Sequence, residues 1–234
     1  MATIDLLART TILGNLNRDR LAELAAVATQ RTLRRGEFLF QAGEVPEALG
    51  VVQKGLVKVV RHTNGGRAIC GLFGATESVG DLAVIRGLPY PTDAIAASDS
   101  VVVTQVPRDR LLQTFTDEPK LFLSLACSVE QNLSSLFDKI DVLSAGGVEA
   151  RLATLLLKLN DRFGDDFDDG TSEIPVALSR RDLAELVATS FETAIRIMSR
   201  WEREGLLETT RRGFTLRDVH RLGTLSGASA LAAE

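Results

Sequence analysis

The stretch Leu178–Leu207 (LSRRDLAELVATSFETAIRIMSRWEREGLL) constrains this chain more than any other. It reads as two short helices around a tight turn. Ser179 can cap the first, along which Leu183, Leu186 and Val187 form an apolar stripe. Ala188-Thr189-Ser190 breaks the pattern, and Ser190 can cap the second. On that helix Ala194, Ile197, Met198 and Trp201 share the inward face, leaving Glu192, Thr193, Arg196 and Arg200 on the other. A helix with one buried stripe and hydrogen-bonding side chains near its N-terminus suits the major groove of DNA. The alternative is a helical hairpin with a solvated charged face. Two short β-prone runs then flank Thr210-Arg-Arg-Gly213, a hairpin turn. Arg211 and Arg212 at its tip form a wing that can rest against phosphates, or else a plain solvated turn.

Net charge is −4 and the pI near 5.4, which as a total disfavours nucleic acid. The local balance matters more, because phosphate attraction decays within about 8–10 Å. Between Leu178 and Arg221 nine arginines face seven acidic residues, about +2. The acids concentrate just before, at Asp161, Asp165, Asp166, Asp168, Asp169 and Glu173. Two cysteines (Cys70, Cys127) and two histidines (His62, His220) exclude a four-cysteine metal site and leave little for a catalytic triad. Neither a metal nor a cofactor is expected. Both cysteines have apolar neighbours, as buried small hydrophobes do. His62 adjoins the turn signal Asn64-Gly-Gly66, where a solvated histidine is expected. Nucleophile–base pairs and phosphate loops are missing, so an enzyme is not expected. With no membrane-length apolar run and no signal-peptide layout, a cytoplasmic location is expected.

Upstream, Leu13–Thr29 suggests one or two short helices. The texture then changes to short apolar runs, Glu37–Phe40, Leu49–Gln53, Leu56–Val60, Ala68–Phe73 and Val101–Val106, separated by glycine turns. Such spacing indicates an antiparallel sandwich or barrel. From Pro119 the chain turns helical, and Phe122, Ala126, Val129, Leu133, Leu136, Ile140 and Leu143 recur in steps of four and three. A seam of that kind wants a partner helix, and a second copy can supply it. Packing against the β domain is the alternative. Gly146-Gly147 ends the seam, another amphipathic helix runs from Glu149 to Phe163, and an acidic loop leads to Pro175. The expected α+β architecture is an N-terminal antiparallel β-roll (1–118), a long dimerisation helix (119–145) and a C-terminal winged helix-turn-helix (146–234).

This layout resembles the cyclic-AMP receptor protein (CRP/FNR) family of bacterial transcription regulators, from about residue 10 to 222. The matching motifs are Arg35–Glu44, Val52–Val59, Gly80-Asp-Leu-Ala-Val84, Val106–Leu111 and Glu192-Thr-Ala-Ile-Arg196. The resemblance implies a cyclic-nucleotide-type domain whose effector pocket maps to Gly80, Asp81, Leu82, Pro91, Thr92, Leu136 and Phe137. In cyclic-AMP-binding members an arginine pairs with the phosphate, and here that position is Pro91, with neither charge nor backbone N–H. The adenine-facing polar pair falls on Leu136 and Phe137. Cyclic AMP is therefore not the expected effector, although Arg86 can reach inward from the loop. The N-terminal cysteine cluster of oxygen-sensing members is absent. The implied DNA-binding set is Ser179, Arg180, Ser190, Phe191, Glu192, Thr193, Arg196, Arg200, Arg211 and Arg212. The implied partners are an inverted-repeat operator in double-stranded DNA, a second copy of the chain and RNA polymerase. A small-molecule or second-messenger sensor acting through protein partners is the competing reading.

Overall fold

A computed structural model describes residues 2–63 and 66–227; Asn64 and Gly65 of the expected turn lie outside the described residues. The chain divides into two compact units, residues 1–135 and 136–234. The division falls inside the long helix, between Ser135 and Leu136.

The first unit begins with α1 (Thr3–Ala8) and α2 (Arg18–Val27), the latter capped by Asn17. Strands β1 (Thr29–Arg34), β2 (Phe38–Phe40), β3 (Ala48–Lys54), β4 (Val57–Thr63), β5 (Gly66–Phe73) and β6 (Ser78–Val79) follow. Helix α3 (Asp81–Arg86), β7 (Asp93–Ala96), β8 (Ser100–Pro107) and α4 (Arg108–Asp117) complete it, up to the start of α5 (Leu121–Ser144). The strands form two antiparallel four-stranded sheets, ordered β1-β8-β3-β6 and β2-β7-β4-β5. Leu33, Leu49, Val51, Val52, Val101 and Val103 fill the core, each at about 1.5–3 kcal/mol of burial.

Five strands lie where the apolar runs put them. Two differ instructively. Strand β1 (TQRTLR) buries only Leu33 and was not expected as a strand, its first residue closing the stretch expected to be helical; as an edge strand pairing β8 alone, it needs just one inward side chain. Strand β7 (DAIA) is buried throughout between β2 and β4, yet too short to announce itself.

Helix α5 is continuous over 24 residues. Its N-terminal half is tied to the first unit: Asn15 Nδ2 donates to Ser124 Oγ at 3.0 Å, and Thr11 Oγ1 to Gln131 Oε1 at 2.8 Å. Leu121, Ser124, Ser128 and Val142 are buried. The seam is not: Phe122, Ala126, Val129, Leu133, Leu136, Ile140 and Leu143 are all exposed, Leu133 at 48% and Ile140 at 56%. Phe122 leans edge-on against Phe115 of α4. Within the first unit the alternative weighed above, packing against the β domain, is met only by that edge of Phe122, and Val129 and Leu133 stay exposed.

In the second unit, α6 (Val148–Phe163) buries Leu152, Leu155, Leu156 and Leu159 as its periodicity required. The acidic stretch after it was expected to be a loop but contains β9 (Asp165–Asp166) and β10 (Ser172–Ile174). Then come α7 (Arg180–Leu186), α8 (Phe191–Arg203), β11 (Leu207–Thr209), β12 (Phe214–Leu216) and α9 (Val219–Ser226). The sheet order is β11-β12-β10-β9, so β10 anchors the wing hairpin by pairing β12. Only Ser172 and Ile174 of that strand are buried, too few to rise above the surrounding aspartates in the sequence.

Candidate nucleic-acid interface and effector site

Helices α7 and α8 are held at their starts by the two serines expected to cap them. Ser179 Oγ accepts from the Asp182 N–H at 3.1 Å, and Asp182 Oδ2 accepts from the Ser179 N–H at 3.0 Å, a reciprocal capping box. Ser190 Oγ accepts from the Thr193 N–H at 3.2 Å. Each cap is worth about 1 kcal/mol. The turn between the helices is set by Ala188 at φ 51°, with the Thr189 N–H returning to the Ala184 carbonyl at 3.0 Å. That geometry fixes where α8 starts and which way it points.

Along α8, Ala194, Ile197, Met198 and Trp201 are buried, as the pattern required. Phe191, Glu192 and Arg196 are exposed and Thr193 is half-buried. Glu192 sits below the usual carboxylate range because its own backbone N–H, the Ser190 hydroxyl and nearby Arg181 favour the charged form. It is thus an acceptor at neutral pH, while Arg196 is a donor one turn away.

Two of the expected DNA-facing arginines are engaged within the unit instead. Arg180 Nη2 donates to both carboxylate oxygens of Glu202, at 2.8 and 2.9 Å. Arg200 pairs with Glu149 of α6, whose Oε1 also accepts from Trp201 Nε1 at 3.0 Å. Burial raises the Glu149 pKa, but these two donors outweigh it and hold the group below its ordinary value. Conversely, Arg181 was not singled out, yet its guanidinium stands 5.6 Å from the Phe191 ring centroid. Adjacent helical positions point about 100° apart. Sequence alone does not say which of Arg180 and Arg181 folds back.

The wing turns as expected. Thr210 N–H donates to the Gly213 carbonyl at 2.8 Å, and Thr210 Oγ1 accepts from the Arg212 and Gly213 N–H groups at 3.2 and 3.1 Å. Arg211 and Arg212 are exposed at the tip. Gly213 is required sterically: a Cβ there would overlap the Ile174 carbonyl oxygen of β10.

In the first unit, Gly80 lies at φ +82° against the Tyr90 ring, which stacks on Phe40 at 3.6 Å. Asp81 follows and is buried. Its Oδ2 accepts from Ser78 Oγ at 2.9 Å and from Ser128 Oγ of α5 at 2.5 Å, and its Oδ1 is buried without a hydrogen bond. Leu82 and Pro91 are exposed and Thr92 half-exposed. Arg86 ends α3 exposed and does not reach inward. Leu136 and Phe137 lie beyond the division at Ser135 and are exposed. One further expectation needs correction: Cys127 is exposed and Cys70 half-buried, so neither is a buried hydrophobe. His62 is exposed as expected, with Nε2 2.8 Å from the Asp93 carboxylate. No cluster able to hold a metal ion occurs among the described residues.

Burial pushes the Asp81 carboxyl above its ordinary 3.8, the two seryl hydroxyls compensating only in part. An acid raised in the native state costs stability as pH rises from the unfolded value through the native one. Thermal melts should therefore show stability falling over that window. Asp81→Asn, which removes the titrating group, should flatten the profile. An unchanged profile in the variant would mean the carboxyl is solvated.

Residues 30–118 match the family described as "Cyclic nucleotide-binding domain" and residues 150–225 the "Crp-like helix-turn-helix domain". The chain belongs to the CRP/FNR family of transcription regulators. Among its relatives, "Transcriptional activator protein anr" of Pseudomonas aeruginosa is 27% identical, over 89% of this chain and 84% of that one. The "CRP-like cAMP-activated global transcriptional regulator" of Mycobacterium tuberculosis is 24% identical, over 93% and 97%. The structure of FixK2 from Bradyrhizobium japonicum superposes with a TM-score of 0.71 at 23% identity, covering 85% of this chain and 97% of that one. This CRP/FNR regulator is thus a DNA-binding transcription regulator with a mixed α+β fold. No described helix is long and apolar enough to cross a membrane.

Proposed function

We propose that this regulator binds an inverted-repeat operator as a homodimer, in the cytoplasm and in concert with RNA polymerase, and that cyclic AMP is not its effector. The observation that carries the reading is the placing of an ionised Glu192 and an exposed Arg196 one turn apart on a Ser190-capped, core-anchored helix. Arg196 donates a bidentate pair to guanine O6 and N7, and Glu192 accepts from cytosine N4. Cyclic-AMP-type members carry an arginine where this chain has Phe191, which packs on a thymine methyl instead. The half-sites then look more like TTGA than TGTGA, their centres about 34 Å apart or slightly more. Ser190 and Thr193 orient the helix start, and Arg211 and Arg212 meet phosphates. Arg180 acts as a prop through Glu202, while Arg200 is held by Glu149 in the DNA-free protein. The domain limits proposed for these tasks are residues 1–118, 119–145 and 146–234, with the exposed stripe of the middle helix covered by its copy.

Selection from a random duplex pool tests the base reading. An inverted repeat with paired G·C positions is the expected yield, and a pool that enriches no symmetric motif overturns it. The effector part has its own measurement. Pro91 offers no charge, Arg86 is exposed, and the Asp81 oxygen that accepts hydrogen bonds already has Ser78 and Ser128 as donors. Calorimetric titration should show negligible cyclic-AMP binding at micromolar concentrations. A low-micromolar dissociation constant, about −8 kcal/mol, would sink this part.

A further inference from the structure

Helical geometry puts Glu192, Arg196, Ser199 and Arg203 in one row on α8, opposite the buried stripe. Arg203 did not stand out in the sequence. It is exposed, and its Nε donates to the Ser199 carbonyl at 3.2 Å, which lays the side chain back along the helix toward Arg196. Arg196, Ile197, Arg200 and Arg203 line a cleft of about 330 Å³ together with Glu149 from the first turn of α6. Three guanidiniums thus face one carboxylate. Arg200 is held by Glu149 and lies 3.9 Å from Glu204, whose other oxygen takes Arg221 at 2.6 Å. Neither Arg196 nor Arg203 has a carboxylate partner among the ion pairs of the described residues.

We propose that this cleft is a seat for one phosphodiester group of the operator backbone, with Arg203 as its main ligand, Arg200 as a second donor and Glu149 as a built-in competitor. The inference rests on the reading that α8 faces DNA. A phosphate is recognised by guanidinium forks, and a cleft with two excess positive charges beside a base-reading arginine matches one backbone anion. Glu149 is held ionised, so it occupies Arg200 at neutral pH and lowers the affinity the cleft can reach. It also accepts from Trp201, which explains why a carboxylate that opposes binding has a place there.

The test measures anisotropy of the selected operator duplex over a range of salt. Arg203→Ala should weaken every sequence alike by about 3–10-fold and reduce the salt slope by about 1, while Arg203→Lys keeps most of the slope. Glu149→Gln retains an acceptor for Trp201 but removes the competing charge, so binding should tighten and the slope steepen. An Arg203→Ala protein with wild-type affinity and slope overturns the proposal. So does a Glu149→Gln protein that melts like wild type but binds more weakly. Where Glu149→Gln melts lower, Arg203→Ala alone decides. Titration of the DNA-free protein with inorganic phosphate separates the sources: saturation in the low millimolar range would make this a free-anion site and overturn the assignment to DNA. If Arg196→Ala loses the guanine preference while Arg203→Ala is silent, the reading of α8 stands and this inference falls. If both are silent, both fall.

Discussion

Replacing Leu133 and Ile140 together by aspartate is expected to convert the proposed dimer to monomers and to abolish tight binding to a two-half-site operator. Both side chains lie on the apolar stripe of α5, at 48% and 56% exposure in the single chain. A second copy covering that stripe would bury four new carboxylates without partners, each disfavoured by several kcal/mol. The protomer itself should fold normally, because neither position contributes to a core. Losing the second half-site contact lowers apparent affinity by about 10²–10⁴-fold through the lost effective concentration, with every base contact intact. Light scattering checks the mass and anisotropy the affinity. A double variant that still scatters as a dimer removes the seam from the interface.

Arg196→Ala should cost about 1–3 kcal/mol on the selected operator and relax the preference at one guanine while leaving other positions sharp. Removing Arg211 or Arg212 should behave differently, weakening all sequences alike and flattening the salt dependence. The contrast follows from position. Arg196 stands on a helix fixed by its Ser190 cap and a buried tryptophan, so its guanidinium has a defined place to read from. The wing arginines sit exposed at a turn, where they supply charge without register. Repeating the pool selection with the Arg196→Ala protein provides the check. A motif identical to the wild type's would show that another residue reads the guanine.

Much of this regulator was legible before any coordinates. The caps at Ser179 and Ser190, the buried stripe of α8, the wing turn at Thr210–Gly213 and five strands of the roll all follow from local rules. Each depends on periodicity or turn chemistry within a dozen residues. What escaped the sequence has a common character. Strands β1 and β10 are polar segments made into strands by partners distant in sequence, β8 and β12. Arg86, which can reach inward by the sequence, ends α3 exposed.

The sequence by itself determined which surfaces exist: an apolar stripe on one long helix, a polar row on a short one, a basic hairpin tip. Tertiary structure alone decided which polar side chains remain available. Arg180 and Arg200 look as free as Arg181 and Arg203 in the sequence, yet Glu202, 22 residues from Arg180, and Glu149, 51 residues from Arg200, bind them. Asp81 reads as an open effector ligand, yet Ser128 from α5, 47 residues on, hydrogen-bonds it in the interior. Periodicity reports the direction in which a side chain leaves its own element. Charge pairing and burial depend on what the rest of the chain brings to meet it.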